Sequence, residues 1–136
     1  MTHHVLDHIS LSVSDLAEAK AFYAAALTPL GFTVMMEFPA SMTGTVDVAG
    51  LGTGGKPYFW LSASGKQTPA THIAFGVETR AEVDAFYEAA LAAGGTDNGA
   101  PGLRPMYHPD YYGAFVRDPD GHNIEAVCHN PEADDG

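Results

Sequence analysis

The hydrophobic and polar positions of the chain follow the same order twice. An alternating run with large apolar residues at every second position begins at His8 and again at His72, and this period of two predicts a strand with one buried face. A stretch with apolar residues three and four positions apart follows each run and predicts an amphipathic helix. Asp15 and Thr79, each with a glutamate three positions later, are the predicted N-cap residues.

The two halves are also similar residue by residue. Residues 8–31 align with residues 72–95 at a constant offset of 64 positions, with 12 identities in 24 positions and no gap. The identities include the first two residues, a Phe-Tyr pair in the predicted helix and the last glycine, which a general likeness of two alanine-rich helices does not explain. We infer an internal duplication.

Shorter strand candidates follow each predicted helix. They lie at 33–38, 45–49 and 58–62 in the first half, and at 103–107, 112–117 and 124–128 in the second. The segments between them hold most of the Gly and Pro and are expected to be loops, at 39–44, 50–57, 63–70 and 96–110. We therefore expect one α+β domain over 1–136, with two tandem βαβββ modules that form a curled mixed sheet. The predicted modules span about 5–63 and 70–129, and an acidic tail covers 130–136.

Composition narrows the classes of partner. The 136 residues include 6 Lys and Arg against 17 Asp and Glu, a net charge of −11, which disfavours binding to nucleic acid or to an anionic membrane surface. A single cysteine, Cys128, is typical of a reducing compartment. We find neither a signal-peptide pattern nor an apolar run of about 20 residues. The expectation is a cytoplasmic protein with no nucleic-acid or membrane partner.

Three side chains are candidate metal ligands. His8 and His72 open the matching strands on the side opposite the apolar residues, and Glu125 takes that side of the last strand. A half-buried carboxylate needs a partner, and two imidazoles with one carboxylate hold a divalent ion while leaving positions open. The alternative, an ordinary surface or core histidine, does not account for the duplicated His. The expected cofactor is a divalent ion, with Zn, Fe, Mn, Ni and Co all open.

The segment 98–112 is rich in aromatic residues and proline. It either lines a pocket for a small ring or acyl group, or covers an open edge of the sheet or a dimer contact. The glycine-rich segment 50–55 matches a dinucleotide-binding pattern, but a predicted strand follows it where that pattern requires a helix.

The sequence resembles the vicinal oxygen chelate superfamily, which includes glyoxalase I, bleomycin-resistance proteins and extradiol dioxygenases. The resemblance rests on residues 6–13, residues 71–75 and the Asp-Pro-Asp-Gly-x-x-Ile-Glu pattern within 115–125. It implies paired βαβββ modules around a metal, with His8, His72 and Glu125 at the ligand positions. It also implies a small-molecule substrate and a homodimer.

The resemblance suggests roles for residues of the segment 98–112. Ring-cleaving members need an acid and a base near the metal, for which His108, Tyr111 and Tyr112 are candidates. Of these, Tyr112 and His108 are the predicted acid–base groups. The fosfomycin-resistance members have a cationic pocket, and Arg104 is the predicted anchor for an anion.

The resemblance implies a divalent-metal-dependent glyoxalase- or dioxygenase-like enzyme that binds a small substrate through two vicinal oxygens. The fourth ligand of glyoxalase I falls within residues 59–61, where this chain has no ligand, and this disfavours the lactoylglutathione reaction itself. Lyase or isomerase, transferase and dioxygenase chemistry all stay open. The alternative is a metal-free drug-binding protein of the bleomycin-resistance type, since a charge of −11 suits a cationic ligand. Whether the site lies within one chain or across two also stays open.

Overall fold

Two four-stranded mixed sheets organise the chain in this computed structural model, which describes residues 6–132. The first five residues and most of the predicted acidic tail lie outside the described residues. The first module contains β1 (Ile9–Ser12), α1 (Leu16–Leu27), β2 (Thr33–Phe38), the short helix α2 (Ala40–Thr43), β3 (Val48–Thr53) and β4 (Lys56–Ser62). The second contains β5 (His72–Val77), α3 (Arg80–Ala92), β6 (Thr96–Leu103), β7 (Tyr112–Arg117) and β8 (Asn123–Cys128).

The two sheets have the same topology. The strand order is β1-β4-β3-β2 in the first sheet and β5-β8-β7-β6 in the second. The first pair in each sheet is parallel and the others are antiparallel. The predicted α+β fold of two tandem βαβββ modules is therefore confirmed. Over residues 6–132 the strands form two separate sheets, so β1 and β5 are both edge strands.

The two long helices begin as the capping pattern predicts. The Asp15 carboxylate accepts the backbone N–H of Glu18 at 3.0 Å, and Thr79 forms a complete capping box with Glu82. The first helix continues into one 3₁₀ turn and ends at Gly31, whose φ of 86° is the left-handed conformation that glycine adopts without strain. Within residues 6–132, no helix is both long and apolar enough to span a membrane.

The helix-covered sides of the two sheets share one core. Phe59 of β4 packs edge to face against Tyr23 of α1 at 5.0 Å and against Phe75 of β5 at 5.4 Å, and α1 packs against α3. Because these sides face each other, the opposite sides of the two sheets both turn away from the core. The side of the first sheet that carries His8, Ser10 and Trp60 is called the His8 face. The side of the second sheet that carries His72, Ala74 and Glu125 is called the His72 face.

The turn between β7 and β8 connects the second module to the first. The N–H of Gly121 donates to the carbonyl of Asp118 at 2.9 Å, which closes the turn that the Asp-Pro-Asp-Gly sequence predicts. The buried Asp118 carboxylate accepts the phenol of Tyr23 at 2.5 Å, and the Asp120 carboxylate accepts the hydroxyl of Ser14 at 2.5 Å. These bonds fix the β7–β8 turn, and with it the start of β8, against α1 and the loop before it.

One strand lies where the sequence predicts a loop. β6 spans Thr96–Leu103, whereas the expected strand was at 103–107 and the expected loop at 96–110. The sequence TDNGAPGL has few residues that favour strands. Pairing with β7 holds it in place as an edge strand, and the register shifts on both sides of Gly99 accommodate its irregular backbone. Tertiary pairing therefore overrides a weak local signal.

The glycine-rich segment 50–55 is also more ordered than expected. β3 continues to Thr53 and β4 begins at Lys56, so only Gly54 and Gly55 form the turn. Glycines within the strand have steric reasons: a Cβ on Gly50 would lie 2.8 Å from the indole of Trp60, and one on Gly52 would lie 1.9 Å from the carbonyl of Lys56. Gly50 therefore lets the indole of Trp60 lie against the strand, and Gly52 lets the backbone of Lys56 approach it.

Candidate functional site

The centre of the His72 face is a histidine paired with a buried carboxylate. The parallel register of β5 and β8 places Ala74 beside Glu125, so His72 lies diagonally across from Glu125 on the same face. The His72 Nε2 atom is 2.7 Å from the Glu125 Oε1 atom. The Glu125 side chain is 1% exposed, whereas that of His72 is 51% exposed. A carboxylate this deeply buried requires partners of this kind.

The second oxygen of Glu125 also has a partner. Tyr111, the last residue before β7, donates its phenol hydrogen to Glu125 Oε2. Burial, followed by the contact with Glu125, raises the pKa of Tyr111, so the phenol stays protonated and remains a donor at neutral pH. Gly113 makes room for this contact, because a Cβ there would lie 3.2 Å from the Tyr111 ring and 3.3 Å from Glu125 Oε2.

One predicted site residue, Arg104, lies on the same face. The His72 ring lies 6.1 Å from the Phe115 ring. The Arg104 guanidinium lies over the Phe115 ring, 5.4 Å from its centroid. Arg104 donates to the carbonyls of Gly102 and Ala100 at 2.8 and 2.9 Å. These bonds hold its positive charge over Phe115, the ring that neighbours His72, where it can attract an anionic group.

Tyr112 lies on the opposite side of the sheet from Glu125. It shares its side of β7 with the buried Ala114 and Val116, and its phenol donates to Asp84 of α3 at 2.7 Å. Burial and this bond raise the pKa of Tyr112 to about 12. The structure therefore does not bring Tyr112 to the His72–Glu125 pair. The alternation of β7 already predicts this orientation, because Tyr112 lies two and four positions before the apolar residues Ala114 and Val116.

His108, the other predicted acid–base residue, lies on the exposed outer side of the β6–β7 loop. Its Nδ1 atom accepts the backbone N–H of Asp110 at 3.0 Å. Its ring packs on His129 at 5.7 Å, and His129 in turn packs on Tyr111 at 5.1 Å. His108 is thus separated from Glu125 by two rings. Tyr111, the third tyrosine or histidine that the resemblance offered as an acid or base, is the residue whose phenol contacts Glu125.

His8, the third predicted metal ligand, lies apart from the other two. Its Nδ1 atom is 2.8 Å from a carboxylate oxygen of Asp7, which also accepts from Lys56 at 3.1 Å. The hydrogen bond from His8, followed by that from Lys56, holds the pKa of Asp7 below its usual range. In the part of the chain that the structure describes, no three His, Cys, Asp or Glu side chains are close enough to share a metal.

His72 and Glu125 nevertheless suit a metal as two of its ligands. Imidazole nitrogen and carboxylate oxygen are common donors to zinc and other divalent first-row metals. Two such donors on one ion lie roughly 3 Å apart, and the two atoms here are 2.7 Å apart. A small rotation of the half-exposed His72 would admit an ion between them. The ion would need at least one further ligand from elsewhere.

The His8 face is built differently. Trp60 stacks on Phe38 with ring centroids 6.1 Å apart and planes 17° apart. Between β1 and β5 lies a cleft of about 420 Å³, with His8 at its rim. Its walls include the apolar rings of Phe32, Phe59 and Phe75. The first module therefore presents an aromatic surface, and the two modules share a cleft between their first strands.

The comparisons with known proteins give one consistent family. The family model described as Glyoxalase/Bleomycin resistance protein/Dioxygenase superfamily matches residues 5–126. A glyoxalase/bleomycin resistance protein from Albidiferax ferrireducens T118 is similar in structure, with a TM-score of 0.69 and 29% identity, over 90% of this chain and 96% of that one. No curated protein matches the chain.

More distant solved structures share the fold. A glyoxalase/bleomycin resistance protein/dioxygenase family enzyme from Burkholderia phytofirmans PsJN has a TM-score of 0.66 and 23% identity, over 92% of this chain and 98% of that one. An E144Q mutant of glyoxalase I from Zea mays has a TM-score of 0.67 and 20% identity, over 90% of this chain and 46% of that one. At these identities the likeness concerns the architecture.

Proposed function

Because the chain belongs to the Glyoxalase/Bleomycin resistance protein/Dioxygenase superfamily, we propose that it is a divalent-metal-dependent enzyme acting on a small oxygenated substrate. The observation that carries this proposal is the contact of 2.7 Å between His72 and the buried Glu125. A carboxylate and an imidazole held together on an open sheet face form two thirds of a common metal site. The substrate would bind the ion through two vicinal oxygens.

The third ligand in this proposal is His8 of the partner subunit. Within the described part of one chain, His8 does not lie close enough to His72 and Glu125 to share an ion with them. β1 and β5 are edge strands whose outer edges are not hydrogen-bonded to another described strand, and such edges readily pair with another chain. In a homodimer with β1 of one copy beside β5 of the other, two equivalent sites form by symmetry.

The chain's own residues would bind and orient the substrate. A bound divalent ion would supply Lewis-acid chemistry by polarising the substrate oxygens. Arg104 attracts an anionic substituent, and Phe115 offers an apolar wall beside it. Tyr111 holds the glutamate oxygen that faces away from His72. Lyase or isomerase, transferase and dioxygenase reactions are all compatible with this arrangement, and the identity of the bound metal would narrow them.

Metal content tests the proposal. Elemental mass spectrometry of untagged protein should find close to one divalent ion per chain, and the double variant His8→Ala/His72→Ala should lose it. His108→Ala is the matched control, because it removes an imidazole that lies away from Glu125, and it should retain the metal. A parent protein that binds none of Zn²⁺, Fe²⁺, Mn²⁺, Ni²⁺ or Co²⁺ would contradict the proposal.

Mixing two single variants tests whether the site is shared. His8→Ala and His72→Ala should each bind little metal alone. After unfolding and refolding together in equal amounts, about one site in four should recover, since half of the dimers are mixed and each mixed dimer keeps one complete site. If both ligands came from the same chain, mixing would restore nothing.

A second candidate function is metal-free binding of a cationic aromatic drug. The half-buried stack of Phe38 and Trp60 on the His8 face and the net charge of −11 favour it. Trp60 is the only tryptophan, so quenching of its fluorescence by such a compound in metal-free protein would support this function. An unchanged signal together with stoichiometric metal would favour the enzyme.

A further inference from the structure

The two oxygens of Glu125 have different partners. Oε1 faces His72 Nε2 at 2.7 Å, and Oε2 accepts the phenol hydrogen of Tyr111. Gly113 leaves the space in which the phenol reaches the carboxylate, because a side chain there would meet both the ring and the oxygen. One oxygen of the carboxylate is therefore directed to the imidazole, and the other is held by the phenol.

Tyr111 is fixed in this position by its own surroundings. Its ring packs edge to face on Tyr107 at 5.1 Å and on His129 at 5.1 Å. Its carbonyl accepts the N–H of Arg104 at 2.7 Å, and its N–H donates to the carbonyl of His108 at 3.1 Å. Contacts from the β6–β7 loop and from His129, which follows β8, thus hold Tyr111 in place. Its phenol is therefore already oriented when it donates to Glu125.

We propose that Tyr111 is a positioning residue that restricts Glu125 to one coordinating oxygen. This inference rests on the proposed function, because it assumes a metal beside His72. With Oε2 held by the phenol, Glu125 would offer only Oε1 to an ion, and a coordination position would stay open for a substrate oxygen. Without the phenol, both oxygens could bind the ion and occupy that position. Groups that orient a metal ligand in this way affect affinity and geometry together.

Tyr111→Phe removes the phenol oxygen and keeps the ring. Tyr107→Phe is the matched control, since Tyr107 is an exposed tyrosine on the same loop that packs on Tyr111. Each protein is titrated with Co²⁺, with affinity measured by calorimetry and coordination by visible absorption. We expect Tyr111→Phe to lower the affinity for Co²⁺ about 10- to 100-fold. We also expect it to weaken the absorption per ion, because a higher coordination number lowers the intensity of the cobalt bands. Tyr107→Phe should match the parent in both measurements.

The outcomes separate the two proposals. If the parent binds Co²⁺ and Tyr111→Phe shows the same affinity and spectrum, the role of Tyr111 is refuted while the metal site stands. A parent that binds no Co²⁺ would overturn the proposed function, and this inference with it. Thermal unfolding followed by circular dichroism checks that both variants are folded. An affinity loss in Tyr111→Phe with an unchanged spectrum would also contradict the inference, since it would show that Glu125 coordinates as before.

Discussion

The two sheets have the same topology but different chemistry at matched positions. Ser10 of β1 pairs with Trp60, and its counterpart 64 residues later, Ala74, pairs with Glu125. Trp60 therefore occupies in the first sheet the position that Glu125 occupies in the second. Each module keeps the histidine at the start of its first strand, but only the second carries a carboxylate beside it.

The neighbouring strands differ in the same complementary way. Gly50 pairs with Trp60 in the first sheet, and Phe115 pairs with Glu125 in the second. The large indole thus lies over a glycine, and the small carboxylate lies beside a large ring. The comparison shows that the duplicated backbone supplies equivalent positions, whereas single side chains decide what each position does. In the proposed metal site, the first module contributes His8 and the second contributes His72 and Glu125.

The largest effect is expected when the carboxylate of Glu125, which distinguishes the two sheets, is replaced. Glu125→Gln keeps the shape of the side chain but removes its negative charge and most of its ability to bind a metal. We expect metal affinity to fall by more than about 100-fold, the upper end of the range for residues that only support a ligand. Trp60→Phe, at the matched position, should change it less than about threefold. Calorimetric titration with Zn²⁺ measures both, and similar losses in the two variants would contradict the asymmetry.

The next effect compares two tyrosines that the duplication relates. Tyr23 is fully buried and donates to the buried Asp118 at 2.5 Å, whereas its counterpart Tyr87 donates to the exposed Asp97 at 3.0 Å. Tyr23→Phe leaves the buried carboxylate without one donor, so we expect a loss of about 2–3 kcal/mol in the free energy of unfolding. Tyr87→Phe should cost about 0.5 kcal/mol or less.

Urea unfolding of both variants measures this difference in the free energy of unfolding. The slope of that free energy against urea concentration should stay the same in both variants. Equal losses would show that the turn at Asp118 does not join the modules more firmly than the surface bond at Asp97. A larger loss in Tyr87→Phe would reverse the comparison.

The sequence predicted the repeat, the helix starts and the residues His72 and Glu125 that the structure brings together. Those features depend on local periodicity and on the matched halves, which one chain displays directly. β6 was placed wrongly because its residues favour loops and only pairing with β7 makes it a strand. The hydrogen bond from Tyr111 to Glu125 was also not predicted, since it depends on the path of a loop. The separation of His8 from His72 and Glu125 was also not predicted, because it depends on how the two modules pack.

The smallest expected effect concerns the glycine beneath Trp60. Gly50→Ala places a methyl group where the indole lies, 2.8 Å from its nearest ring atom, whereas Gly76 on the His72 face has open space around an added Cβ. We expect Gly50→Ala to displace the ring, to shift the fluorescence of the single tryptophan and to cost about 1–2 kcal/mol. Gly76→Ala should stay within about 0.5 kcal/mol of the parent. Unfolding monitored by Trp60 fluorescence reports both quantities. An unshifted spectrum in Gly50→Ala would mean that the indole does not need the glycine, and that the two faces differ by the identity of residues 60 and 125 alone.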